Sequence, residues 1–236
     1  MAVLGLGRNQ AQMIGDRIMS PNQFLAKTTL TKDIGLGKSS DIYARLADTI
    51  SEPGMISTTG FELSYVHVNV AWESNPVGDI GSPWTFLGKG TSVMDAIRQI
   101  ARSRHEVIAD RQNYVVIRRS FDVPLLKSYQ IKNGKEDSEL TKWVNTIIPP
   151  GRTDLLRLNG NLVEEFLNIK LKESLSLAYG ANAPSFTFAM DDKAKLAVAK
   201  VSVVGCWVYS ELLDAYCALA GLHWEIEGKT LWLKAD

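Results

Sequence analysis

The sequence predicts an α+β fold, two small helix-on-sheet modules joined by a mixed segment, and three features predict it. Val66, Val68, Val70 and Trp72 alternate with His67, Asn69 and Ala71, the period of a half-buried strand. Val93, Met94, Ile97, Ile100 and Ala101 recur at helical spacing behind the capping pair Thr91-Ser92. Helical spacing over Val208–Ala220 then runs into two alternating strands, Leu222–Ile226 and Thr230–Lys234, with a turn at Glu227-Gly228.

The remaining elements follow in order. Residues 1–54 read as a polar helical and loop region, with helices at Asn9–Ile18 and Asp41–Ile50. Ser39, Ser40 and Asp41 are the capping candidates for the second of these. Ser51–Gly60, with Pro53, Gly54 and Gly60, reads as a linker. The first module spans 55–120: the strand above, a loop over Glu73–Pro83, the helix, and strands at His105–Ala109 and Tyr114–Ile117. A connecting segment, 121–184, holds a strand at Val123–Ile131 and a helix at Glu136–Ile147. After a break at Pro149-Pro150-Gly151 it continues as a helix over Asn161–Tyr179 and ends in a break at Gly180–Pro184. The second module, 185–236, opens with strands at Phe186–Met190 and Lys200–Val204.

Composition narrows the function classes. With 26 basic and 26 acidic residues the formal charge is zero, which argues against coating nucleic acid by bulk attraction. Hydrophobic residues at 45% and charged residues at 22% are ordinary for a folded chain. No apolar run approaches the roughly 18–20 residues that cross a bilayer. Met1–Gly7 lacks the basic residue and apolar length of a secretory signal, so the protein is cytoplasmic or virion-borne, or a signal has been removed and it is periplasmic or envelope-located. Cys206 and Cys217 read as two small buried side chains; a disulfide between them requires an oxidising compartment.

The two clear parts share one plan: a strand, a helix of about three turns, then a closing hairpin. In the second, Val201-Ser202-Val203, Glu211, Leu213-Asp214, Ala220-Gly221-Leu222, Trp224, Ile226, Gly228, Leu231 and Leu233 form a pattern. It resembles the small N-terminal domains of bacterial secretins and the related signalling (STN-like) domain of TonB-dependent transducers. The resemblance covers residues 186–234, with a looser copy near 61–118, where Arg104-His105 stands in place of Gly-Leu. It implies protein–protein assembly rather than chemistry, through ring packing or docking at sheet edges. The implied protein is a non-enzymatic subunit of a bacterial envelope secretion, conjugation or pilus complex. Its partners are then other protein subunits, including copies of itself. A phage tail or baseplate protein of similar build is the alternative.

Chemical motifs are few. Gly35-Leu36-Gly37-Lys38-Ser39 ends like a phosphate loop, but Lys32 stands where its first glycine belongs. Gly5-Leu6-Gly7 has no strand before it. His67, His105 and His223 are too scattered for a metal centre. Glu164-Glu165 and Asp191-Asp192 are neighbours in sequence and do not face each other. No catalytic residue, cofactor or metal ligand is assigned.

Two surface features remain. Arg98, Arg102, Arg104, Arg111, Arg118 and Arg119 outnumber Glu106 and Asp110, a local surplus in a neutral chain. Arg98, Arg102, Arg104 and Arg118 are therefore candidate partner-binding residues, for an acidic protein or, less favoured, nucleic acid. Among Trp84, Trp207, Trp224 and Trp232, the last two fall on the arms of one hairpin and are expected to pair across it as core or as an assembly surface.

Overall fold

A computed structural model describes residues 21–37, 39–58, 68–74, 84–119, 138–146, 148, 156–159 and 162–235. The expected helix at Asn9–Ile18, strand at Val123–Ile131, residues Val66 and His67, and the Pro149-Pro150-Gly151 break lie outside them. Helices and small sheets alternate, an α+β architecture. The chain divides into two compact units, one holding 21–70 and 74–119, the other 71–73 and 138–235. The division differs from the four segments read from the sequence, because residues near 21–58 pack with the first module.

In the first unit α1 (Pro21–Leu25) leads to β1 (Thr28–Leu30) and β2 (Ile34–Leu36), then α2 (Ile42–Ser51). A linker was expected next, yet Ile56–Thr58 forms β3, antiparallel to β1 with Leu30 opposite Ile56. Three residues pairing with a distant strand leave no periodicity to read. β4 (Val70–Glu73) divides between the units after Val70. β5 (Thr85–Leu87) is antiparallel to β2, with Gly35 opposite Phe86. α3 (Val93–Ser103) starts where Ser92 Oγ accepts the Asp95 N–H, as its spacing predicts. β6 (Val107–Asp110) and β7 (Val115–Arg118) close the unit as an antiparallel hairpin. Asn22 ties that hairpin's turn, its side-chain amide donating to Asp110 and to the carbonyls of Arg111 and Tyr114.

The second unit includes α4 (Ser138–Trp143), which falls within the expected Glu136–Ile147 and gives way to a turn after Trp143, and β8 (Leu156–Asn159). α5 (Val163–Tyr179) buries Leu167, Leu171 and Leu175 on one side. β9 (Thr187–Met190), α6 (Asp192–Val198), β10 (Val201–Gly205), α7 (Tyr209–Ala220), β11 (Leu222–Glu227) and β12 (Thr230–Ala235) follow. β12 lies between β11, its antiparallel hairpin partner, and β9, to which it is parallel. β10 lies between β8 and the Ala71–Glu73 part of β4.

The units repeat one topology. β2 is antiparallel to β5 and β8 is antiparallel to β10, and in each pair the second strand leads into a helix. That helix, α3 or α7, opens a closing hairpin. A strand from upstream flanks each hairpin's second arm: β9 beside β12, and Asn69, whose carbonyl accepts the Val115 N–H at 2.9 Å, beside β7. Each helix also ends alike. Gly221 after α7 has φ +67°, and His105 after α3 has φ +56°, so histidine takes the left-handed position that glycine fills in the other copy.

Two outcomes follow from this packing. His105→Gly removes the strain of a side chain in the left-handed region and is expected to stabilise the protein by about 0.5–1 kcal/mol in urea unfolding. Burial, with the Glu106 charge adding at Tyr43, pushes the hydroxyl ionisations of Tyr43, Tyr209 and Tyr216 far above the ordinary tyrosine value. The folded state therefore keeps these protons while the unfolded chain releases them above about pH 10. Stability is complete below that pH and falls above it, by roughly 4 kcal/mol per pH unit for three groups. Urea midpoints between about pH 9 and about pH 11 should drop together with a cooperative rise in tyrosinate absorbance; a flat midpoint refutes the assignment.

Candidate functional site

The arginines do not form one exposed patch. Arg98 lies on α3 between two carboxylates, 3.1 Å from Asp95 and 3.6 Å from Asp110. Arg102 is exposed. Arg104 turns inward, its side chain only 3% exposed, and donates from Nε to Glu106 at 2.9 Å and from Nη1 to the Ser39 carbonyl at 3.1 Å. Arg118 is buried on β7, and Arg119 Nε stands 3.9 Å from the Glu106 carboxylate.

Glu106 is the centre of this arrangement. Its side chain is 2% exposed, and besides Arg104 it accepts the Tyr43 hydroxyl at 2.5 Å. The repeat explains its position. Counting from the left-handed residue, Glu106 follows His105 as Leu222 follows Gly221, so a carboxylate occupies the place of a core leucine. Such a group is tolerated inside only when paired and hydrogen-bonded. Arg104 and Tyr43 meet that requirement from two directions. Glu106, already counted against the arginines, thus holds Arg104 inside the fold and has Arg119 3.9 Å away.

The two hairpin tryptophans do not pair. Gly228, at φ +58°, and Lys229 form a two-residue turn between Glu227 and Thr230. That turn sets Trp224 opposite Leu233 and Trp232 opposite Glu225, so the two rings lie on opposite faces. Trp224 is buried and donates from Nε1 to Asp214 at 2.8 Å; Trp232 is half-buried, with Lys234 Nζ 5.1 Å from its ring centroid. Trp207 is also buried, donating to the Val204 carbonyl at 3.0 Å.

The glycine motif near residue 35 is no phosphate loop. Gly35 and Leu36 belong to β2, and Ser39 Oγ accepts the Asp41 N–H ahead of α2. His105 and His223 stand apart from any cluster of metal-binding type among the described residues, and His67 lies outside them. No helix among the described residues is long and apolar enough to cross a membrane.

Of the most exposed apolar residues, sequence reading singled out Trp84 alone. Trp84 just ahead of β5 and Phe86 on it, Leu162 at the N-cap of α5 with Ile169 and Leu177 along that helix, and Leu196 on α6 are all exposed. The signal was present: Trp84 and Phe86 alternate opposite Gly35 and Gly37, and Leu162 and Ile169 lie two helical turns apart. It becomes readable only when the opposite face of each element is known to be buried. No family model, curated protein or solved structure matches this chain.

Glu106→Ala strands Arg104 without its counter-charge inside the first unit and is expected to cost about 3–5 kcal/mol in urea unfolding. Tyr43→Phe removes one hydrogen bond to a charged acceptor, about 1.5–3 kcal/mol. The double variant should lose less than the sum of the two, because Tyr43 has no charged acceptor once Glu106 is gone. Additive losses would deny the coupling.

Proposed function

We propose that this protein is a non-enzymatic assembly subunit of a bacterial envelope machine, a secretion, conjugation or pilus complex, packing with copies of itself through its two related modules. The observation that carries this reading is the duplicated topology of strand pair, helix and closing hairpin. Chains that repeat a small module present related surfaces more than once and suit multivalent packing. The residues that resemble secretin N-terminal and transducer signalling domains support it at structural positions. Val201 and Val203 are buried in β10, Leu213 in α7, and Trp224, Ile226, Leu231 and Leu233 in the hairpin. Gly221 and Gly228 hold the two positive-φ bends. A nucleic-acid role for the Arg98–Arg119 segment draws less support, because Arg104 and Arg118 are buried and Arg98 lies against two carboxylates.

Light scattering over a concentration series tests the reading. The expected outcome is a mass rising from the 26.1 kDa monomer to multiples of it. A strict monomer at the highest attainable concentration refutes self-assembly. Binding of single-stranded oligonucleotide that weakens with salt and is lost on Arg102→Glu would shift support to the nucleic-acid reading.

A further inference from the structure

Among the described residues each unit exposes large apolar side chains, Trp84 and Phe86 in the first and Leu162, Ile169, Leu177 and Leu196 in the second. On β5, Thr85 and Leu87 point into the first unit, while Trp84 and Phe86 point out and are 60% and 76% exposed. Their rings are stacked, 6.4 Å between centroids and 21° between planes. β2 presents glycine beneath them. A Cβ at Gly35 would lie 3.5 Å from the Phe86 ring, and one at Gly37 3.4 Å from Trp84. The rings therefore lie over β2 as a flat ledge. Covering glycine explains how they lie; it does not explain why so much aromatic surface faces water.

The repeat supplies a comparison. In the second unit the equivalent ribbon, β8 with β10, has a third strand beside it, Ala71–Glu73, and every residue of β10 is buried. Among the described residues, the β2–β5 ribbon has no third strand. In the second unit the ribbon is extended at its β10 edge and both faces of β10 are buried, whereas among the described residues the β2–β5 ribbon stays two-stranded and exposes one face of β5.

The other bare surface is on α5. Leu162 and Ile169 are 63% and 55% exposed. Seven residues, about two turns, separate them, so they lie on one stripe roughly 10 Å apart along the axis, with Phe166 half-buried between them. That spacing suits two rings with centroids 6.4 Å apart. Charge fits as well. Lys32 and Lys89 are exposed near the Ile34–Leu87 end of the ribbon, with Asp33 between them accepting the Lys89 N–H, and Glu165 and Glu173 are exposed beside the Leu162–Ile169 stripe, with Lys172 further round the helix. A net charge of zero puts no overall repulsion between copies.

We propose that the Trp84–Phe86 ledge of one copy docks on the Leu162–Ile169 stripe of α5 in the next. The partner is a second copy of this chain, and the contact is head-to-tail because the two surfaces differ. Such contacts propagate into a closed ring or a filament. The inference rests on the self-assembly reading above and assigns its interface. Two partly exposed aromatics and two aliphatic side chains form only the centre of a standard patch of roughly 800 Å² per partner, so association is expected to be reversible and concentration-dependent.

The test uses two full-length variants, Trp84→Ser/Phe86→Ser and Leu162→Ser/Ile169→Glu, followed by light scattering alone and mixed. Each alone should lose at least tenfold in self-affinity, and the mixture should form a heterodimer. In that mixture one variant supplies the only intact stripe and the other the only intact ledge. A wild-type chain that stays monomeric overturns the interface together with the assembly reading. Variants that assemble like wild type, or that lose assembly without recovery on mixing, overturn the interface and leave assembly standing. All four side chains are more than half exposed, so circular dichroism and thermal melting should match wild type. Should a variant misfold, mixing Phe86→Cys with Ile169→Cys and adding a short bismaleimide gives a second reading. A cross-linked dimer above the background of half-buried Cys206 and buried Cys217 supports the contact, and its absence in an assembling sample refutes it.

Discussion

A two-stranded ribbon has two faces, and a helix packed on it covers only one. A ribbon is marginal by itself, and one face must find a hydrophobic cover before it is stable. Both units depend on that constraint. In the first, Ile34, Leu36, Thr85 and Leu87 turn toward the core, where α2 and α3 bury Ile42, Leu46, Ile97 and Ile100. In the second, the corresponding strands have a neighbour on the β10 side, and Ser202 and Val204 are as buried as Val201 and Val203. The same topology therefore gives one unit a finished surface and the other an aromatic one.

The buried carboxylate of Glu106 shows a second way in which the copies have diverged. Leucine at Leu222 contributes by leaving water; glutamate at the matching position must be neutralised by neighbours. Arg104 supplies charge and Tyr43 a hydroxyl, so α2 and the end of α3 are coupled through one anion. Breaking such a cluster is costly, whereas an apolar replacement of the whole set need not be. The cluster links α2 to the α3–β6 bend through Tyr43 and Arg104. Histidine at His105 just before it, with φ +56°, adds local strain at the same bend.

Long amphipathic elements were legible in the sequence because their period survives over several turns. Helices α3, α5 and α7 begin and end within a few residues of their expected limits, and so do the β6–β7 and β11–β12 hairpins. The missed elements are short. β1, β2, β3 and β5 have three residues each, too few for an alternation to stand out, and α6 occupies a gap expected between two strands. Register failed for a different reason. Strands ending at Ile226 and resuming at Thr230 leave a three-residue loop that would pair Trp224 with Trp232, but Glu227 extends β11, and the two-residue turn that remains puts the rings on opposite faces. Charge counting gives a surplus without its placement: Arg104 turns inward to Glu106, Arg98 lies against Asp95 and Asp110, and Arg102 stays exposed.

Duplication followed by unequal finishing bears on how such a chain associates. Had both ribbons been left open, the surfaces would be alike and contact between like surfaces would favour closed two-fold pairs. Had both been buried on both faces, neither unit would present a sheet face to a neighbour. With one open ribbon and a stripe of different shape on α5, the complementary surfaces lie in different units of the chain. A contact between unlike surfaces leaves one of each unused after every addition, so growth stops only when rotation closes a ring. The neutral total charge suits that outcome, since each added copy brings no net repulsion to those already in place.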